Sequence, residues 1–271
     1  MSFRQPSAAF FSIAAGSYVG LLTLGATALV LGSGYVTLWP AAAGGCVGLL
    51  VAHRNYTWTA PATVLVRTRL YLFPIAIVLV PIFVIPLLVL VGIRGYETWM
   101  TVWFVEYLVL ALAGMLFYLV TMNRHVASLH ERESVLAEWT SYPDTRYRRL
   151  LYGLQFAFGC VCFIGGLALD PVVNPLPGFG GAMIGQSIAG GRRRTYTLFD
   201  SGLCVHRSKT LNHQFVPGIQ LRSVDLTDGR LRIRRGLPLP LPIRCATKTM
   251  TNPQRVADAI GRVLESTAEV E

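Results

Sequence analysis

Arg192-Arg193-Arg194-Thr195-Tyr196-Thr197-Leu198-Phe199 is the stretch on which the fold turns. Upstream of the three arginines the chain is dominated by long apolar runs. Downstream, apolar and polar residues alternate and then give way to one short helical pattern. The bulk composition agrees with a seam of this kind. Of the 271 residues 53% are hydrophobic and only 14% are charged, and the mean hydropathy is +0.49. Soluble domains carry about a quarter charged residues, so most of this chain is built for lipid.

Runs of about twenty apolar residues mark six expected transmembrane helices, at 8–31, 36–52, 70–93, 99–122, 150–169 and 172–191. The first follows Arg4 and is longer than the apolar core of a cleavable leader, so it reads as a retained span. The third contains Pro74, Pro81 and Pro86, which predict a kink. The sixth is the weakest, with Asn174, Pro175, Pro177 and several glycines, and reads either as a short span starting near Leu176 or as a re-entrant segment. Charge sidedness argues for it. With six spans, one face receives Arg4, Arg54, Arg67, Arg69, Arg124, Arg132, Arg146, Arg148, Arg149 and Arg192 to Arg194, and the other receives Arg94. Basic residues gather on the cytoplasmic side, so both termini are expected in the cytoplasm and the protein in the cell membrane. Small residues four apart (Gly16 and Gly20, Gly44 and Gly48, Gly181 and Gly185) are expected to let helices approach closely.

The segment 123–140 reads as a cytoplasmic helix continuing the fourth span, with Val126, Leu129, Leu136 and Trp139 on one face. From 192 to 271 the pattern predicts a separate cytoplasmic domain. Residues 195–199 and 203–207 form a hairpin around Asp200-Ser201-Gly202, and 214–216 is a third strand. Residues 221–226 and 231–235 pair around Asp228-Gly229, and 243–246 is a last strand. Asn252 caps a closing helix that starts at Pro253 and buries Val256, Ile260, Val263 and Leu264. The expected architecture is therefore a helical polytopic membrane domain plus a small α+β domain.

The hairpin around Asp228-Gly229-Arg230-Leu231, the stretch Phe215-Val216-Pro217-Gly218-Ile219 before Val224–Gly229, and the helix opening Asn252-Pro253 resemble the bacterial and archaeal pleckstrin-homology-like domain. The resemblance spans about 195–266. It implies the fold of that stretch and a place beside transmembrane helices in prokaryotic membrane proteins, and it brings no catalytic residues with it.

No motif for a reaction stands out, so the residues do not point to an enzyme, and no cofactor is implied. His125 and His130 are five apart, unlike the four-residue spacing of a helical metal pair, and no metal site is expected. The net charge of +10 comes without a basic reading helix or stacking motif, so nucleic acid is not an expected partner. Glu106 is the ionisable residue within a span and is singled out for that reason, expected either to be protonated or to pair with Arg94 or a polar group such as Tyr18; Gln155 and Gln186 are weaker signals of the same kind. Arg192, Arg193 and Arg194 are expected to anchor the chain at the headgroups. Arg222, Arg230, Arg232, Arg234, Arg235 and Arg244 are the expected lipid- or partner-binding set, with Arg230, Arg232 and Arg234 on one strand face opposite Leu231 and Ile233. Two functions follow from these residues. One is a membrane-anchored interaction module that binds anionic headgroups or a protein; the other is a small transporter or channel component using Glu106 and the kinked third span.

Overall fold

The computed structural model describes residues 6–31, 37–58, 61–74, 76–77, 96–169, 176–208, 210, 213–227, 229–237 and 240–268. Among them are seven α-helices and seven strands. The chain divides into two compact units, Met1–Ser128 and Leu129–Glu271.

The first unit is helical. It holds α1 (Ala8–Leu31), α2 (Leu38–Trp58), α3 (Pro61–Arg67) and most of α4 (Tyr96–Arg132). The hydroxyls of Ser12, Thr23 and Thr27 donate to carbonyls of the preceding turn, so these three side chains leave no unsatisfied hydroxyl along α1. The expected glycine contacts form here. An added Cβ at Gly16 would meet Leu49 and Gly45, and one at Gly20 would meet Ala41 and Gly45. Gly48 faces Val19 and Gly44 faces Thr23, so α1 and α2 pack backbone to backbone. Phe11, Ala14, Ala15, Ala52 and Val120 form the buried centre, and Phe117 stacks on Tyr18 at 5.6 Å. Of the expected third span, a 3-10 turn at Leu70–Leu72 is described; residues 78–93, with Pro81 and Pro86, lie outside the described residues.

Among the described residues three helices are long and apolar enough to cross a membrane: α1, α4 and α5 (Thr145–Leu169). The first matches its expected bounds, and α4 continues beyond the expected fourth span into the segment expected to prolong it, ending at Arg132. The sixth expected span contains α6 (Leu176–Gly190), 15 residues long. At about 1.5 Å per residue that is roughly 22 Å, short of the ~30 Å hydrocarbon layer.

The second unit departs from the expected plan at its start. Helix α4 stops at Arg132, and Ala137–Ser141 is a strand, β1, where the apolar spacing predicts helix to about 140. Its inward residues alternate, with Trp139 and Ser141 buried and Glu138 exposed. β1 pairs antiparallel with β2 (Arg194–Phe199), and Trp139 lies on Tyr196, rings 5.2 Å apart and nearly parallel. The ladder to a strand more than fifty residues away outweighs a local helical pattern, because it satisfies the backbone and buries an indole at once. The loop before α5 is thus part of the sheet unit, and the α5–α6 hairpin is inserted between β1 and β2. Gly159 and Gly180 let that hairpin close: a Cβ at Gly180 would meet the Phe163 nitrogen and the Gly159 carbonyl. Gly181 and Gly185, the expected pair, make no such approach.

From β2 onward the strands follow the expected order. β3 (Gly202–Arg207) and β4 (His213–Pro217) complete a four-stranded meander, β1-β2-β3-β4. β5 (Leu221–Thr227), β6 (Arg230–Arg235) and β7 (Ile243–Ala246) form a second, three-stranded meander. Gly229 takes φ +79°, the backbone its turn requires. The two sheets are joined by the chain after β1. Pro143 bridges to Cys245, the Ala246 N–H donates to the Tyr142 carbonyl, and the Asp144 N–H donates to the Arg244 carbonyl. The closing helix α7 (Pro253–Ala268) is capped by Asn252, whose side-chain oxygen accepts the Arg255 N–H at 3.1 Å. It lays Val256, Ala259, Ile260 and Val263 on a core with Trp139, Tyr196, Leu198, Leu203, Leu231 and Ile233.

Candidate functional site

Strand directions gather the basic residues. In the antiparallel order β1-β2-β3-β4, the end of β1, the start of β2, the end of β3 and the start of β4 share one edge of the domain. β7 runs antiparallel to the chain after β1, so its start lies toward the segment that leads into α5, whereas β5 starts just after a 3-10 turn whose Gly218 N–H donates to the Ser201 carbonyl in the β2–β3 turn. Helix α5 leaves the sheets at the shared edge and α6 returns to it. This is the end of the second unit that carries the hairpin, whose α5 is long and apolar enough to cross a membrane.

An arginine collar surrounds that take-off. Arg194 opens β2 directly opposite Arg207, which ends β3. The Arg194 Nη2 donates to the Tyr152 hydroxyl of α5 at 2.5 Å and to the Gly190 carbonyl of α6 at 3.4 Å, while its Nε is buried without a hydrogen bond. Arg193 donates to the Thr140 hydroxyl at 2.8 Å, and Arg192 is exposed. Arg148, one turn before Tyr152, packs beside Gly191. No carboxylate among the described residues pairs with any of these arginines. Burial, and then the Arg194 charge, holds the Arg207 pKa below its usual value. Within the triplet, Arg194 binds the sheet to the hairpin, while Arg193 ties the start of β2 to β1. Arg207 escaped sequence reasoning because its opposition to Arg194 depends on strand register.

The second basic surface is the outward face of the three-stranded sheet. Arg230, Arg232 and Arg234 lie on one face of β6, with Leu231 and Ile233 fully buried on the other. Arg244 stands directly opposite Arg232. The four arginines, with Asp225 and Thr227, line an open groove of roughly 630 Å³. Two carboxylates offset part of this charge: Arg230 Nε lies 3.4 Å from Asp144, and Arg234 Nε 3.3 Å from Asp225. Arg232 makes neither contact, and its buried Nε has no hydrogen-bond partner. Directly opposed like charges are unfavourable unless an anion comes between them. Arg235 and Arg222 sit apart from the groove, at the hairpin edge. Arg235 Nε donates to the Leu241 carbonyl at 2.8 Å, and Arg222 lies against Gly236. The six expected arginines thus fall into two groups.

The remaining candidates divide by environment. Glu106 lies on α4, and its side chain and Arg94 are outside the described residues. Tyr18 stacks on Phe117, and its hydroxyl has no partner among the described residues. Gln155 and Gln186 satisfy each other across the α5–α6 hairpin at 3.1 Å, a structural clasp between helices. His206 and His213 stack across β3 and β4 with ring centres 4.3 Å apart. Among the described residues no three His, Cys, Asp or Glu side chains group as metal ligands would. Compared with known proteins, the chain matches no family model and no curated protein.

Proposed function

We propose that this is a multi-pass cell-membrane protein whose sheet unit is a cytoplasmic, pleckstrin-homology-like module that binds anionic lipid headgroups. In this reading the chain crosses the membrane six times, with the short helix α6 as the core of the last crossing, and both termini lie in the cytoplasm. Meanders of four and three strands closed by a C-terminal helix support the module reading. The observation that carries the function is the arginine collar without carboxylate partners, at the edge where α5 and α6 join the sheets. Each basic residue held at an anionic leaflet contributes about 1 kcal/mol, and the attraction decays within a Debye length of about 10 Å. The collar and the β6 groove together offer phosphate groups more positive charge than the protein itself offsets. Scaffolding at the inner leaflet is the role such a module fills.

The test is amide exchange on the full chain in vesicles. Replacing a third of a zwitterionic lipid with an anionic one is expected to slow exchange in β6 and around Arg207. Arg232→Glu with Arg234→Glu should abolish the β6 effect, and high salt should weaken both. Exchange that ignores lipid charge overturns the headgroup reading and leaves an acidic protein as the ligand of this face.

A further inference from the structure

Backbone pairing holds Arg232 and Arg244 side by side. The Arg244 carbonyl accepts the Asp144 N–H, and the Ala246 N–H donates to the Tyr142 carbonyl. Both residues of β7 therefore turn their backbone groups away from β6. That makes Arg232 and Arg244 a cross-strand pair of the non-hydrogen-bonded kind, whose Cα atoms lie about 4.5 Å apart and whose side chains approach closest.

The charge around this pair is uneven. Arg230 has the Asp144 carboxylate at 3.4 Å, and Arg234 has Asp225 at 3.3 Å. Arg232 has neither, and its buried Nε has no acceptor. Among the described residues the groove and its rim thus set four guanidinium groups against two carboxylates, and two positive charges are left to balance.

The chemistry of common anions decides what fits. A phosphodiester, the group in most anionic headgroups, carries a single negative charge and leaves only its two non-bridging oxygens free. A lone carboxylate also carries one charge, and a single forked guanidinium occupies both its oxygens. A phosphomonoester carries a charge of about −1.5 to −2 near neutral pH and presents three strong acceptor oxygens. It alone of the three balances the excess and has oxygens enough for two adjacent arginines.

We infer that the β6–β7 groove is a phosphomonoester site, in which Arg232 and Arg244 clasp one terminal phosphate and Arg230 and Arg234 form the rim. The same group occurs on a monoester lipid headgroup and on small phosphorylated solutes. The inference rests on the proposed anion binding at this face and adds the class of anion.

The experiment follows amide exchange in β6 and β7 of the full chain in lipid nanodiscs. Zwitterionic lipid is titrated with phosphatidate, a monoester, or with phosphatidylglycerol, a diester. One further charge-assisted hydrogen bond corresponds to roughly tenfold in affinity, so phosphatidate is expected to reach half-maximal slowing at about a tenth of the mole fraction. Arg232→Lys keeps the charge and loses the fork, so it should remove that preference while the response to surface charge stays. The comparison of lipids on the parent chain decides the question even where the variant fails to fold. Glycerol phosphate added to neutral nanodiscs, against sodium chloride at the same ionic strength, separates the sources. Slowing there assigns a soluble phosphate; a preference for phosphatidate without it assigns the headgroup. Equal slowing by the two lipids with no effect of glycerol phosphate overturns the monoester site and leaves the headgroup reading standing. Slowing by glycerol phosphate with no response to either lipid supports the site and removes the headgroup reading. No response to any of the three overturns both.

Discussion

At the scale of single residues, His213 shows what burial does to an ordinary side chain. It faces His206 as a cross-strand partner, their rings nearly parallel. Burial, then the charges of His206 and His130, lowers its pKa from 6.5 to about 4. The folded unit therefore holds His213 neutral at a pH where the unfolded chain would protonate it. Stability from this site is complete above about 6.5 and falls as the pH drops toward 4, since the unfolded state then binds more protons. His213→Gln removes that dependence. In thermal melts of the sheet unit in detergent, the variant should lose about 2–3 kcal/mol less than the parent between those limits. Asn252 is a simpler case. Its side chain accepts the Arg255 N–H at the start of α7, so Asn252→Ala should cost about 1 kcal/mol, read as faster amide exchange in the first turn of that helix.

The elements show where local reading works and where it fails. The capped closing helix and the Asp-Gly hairpin were legible because both depend on neighbours in sequence: a cap three residues from its N–H, and a glycine in its own turn. β1 was not. Val126, Leu129, Leu136 and Trp139 match a helical face well enough, and the partner that makes 137–141 a strand lies beyond two further helices. The same holds for α6, where small residues announce close packing but the approach falls at Gly180 rather than at Gly181 and Gly185. One consequence is testable. A fragment of residues 192–271 lacks β1 and leaves Tyr196 without Trp139. It should give a poorly dispersed amide spectrum, whereas residues 133–144 joined by a flexible linker to 194–271 should fold. Trp139→Ala in that linked chain should cost about 3–5 kcal/mol, measured by urea titration.

Over the whole molecule, the charge of +10 gathers on the proposed cytoplasmic side of a chain that is otherwise mostly apolar. Topology is open to a direct check with an exposed position, since Cys204 is only 3% exposed and no reagent will reach it. With the three helix cysteines removed, an impermeant thiol reagent should label Asp200→Cys in inverted membrane vesicles and leave it unlabelled in intact cells; labelling in intact cells removes the six-span arrangement. The sequence by itself determined that the chain is a membrane protein with a small sheet unit after the arginine triplet. Apolar run length and period-two alternation are local properties, and lipid and water read them directly. Only the tertiary structure decided that this unit begins before α5, that Arg194 meets Arg207, and that Arg244 stands opposite Arg232. Those facts depend on strand register and direction, which arise from backbone pairing between segments far apart in the chain and leave no mark on either segment alone.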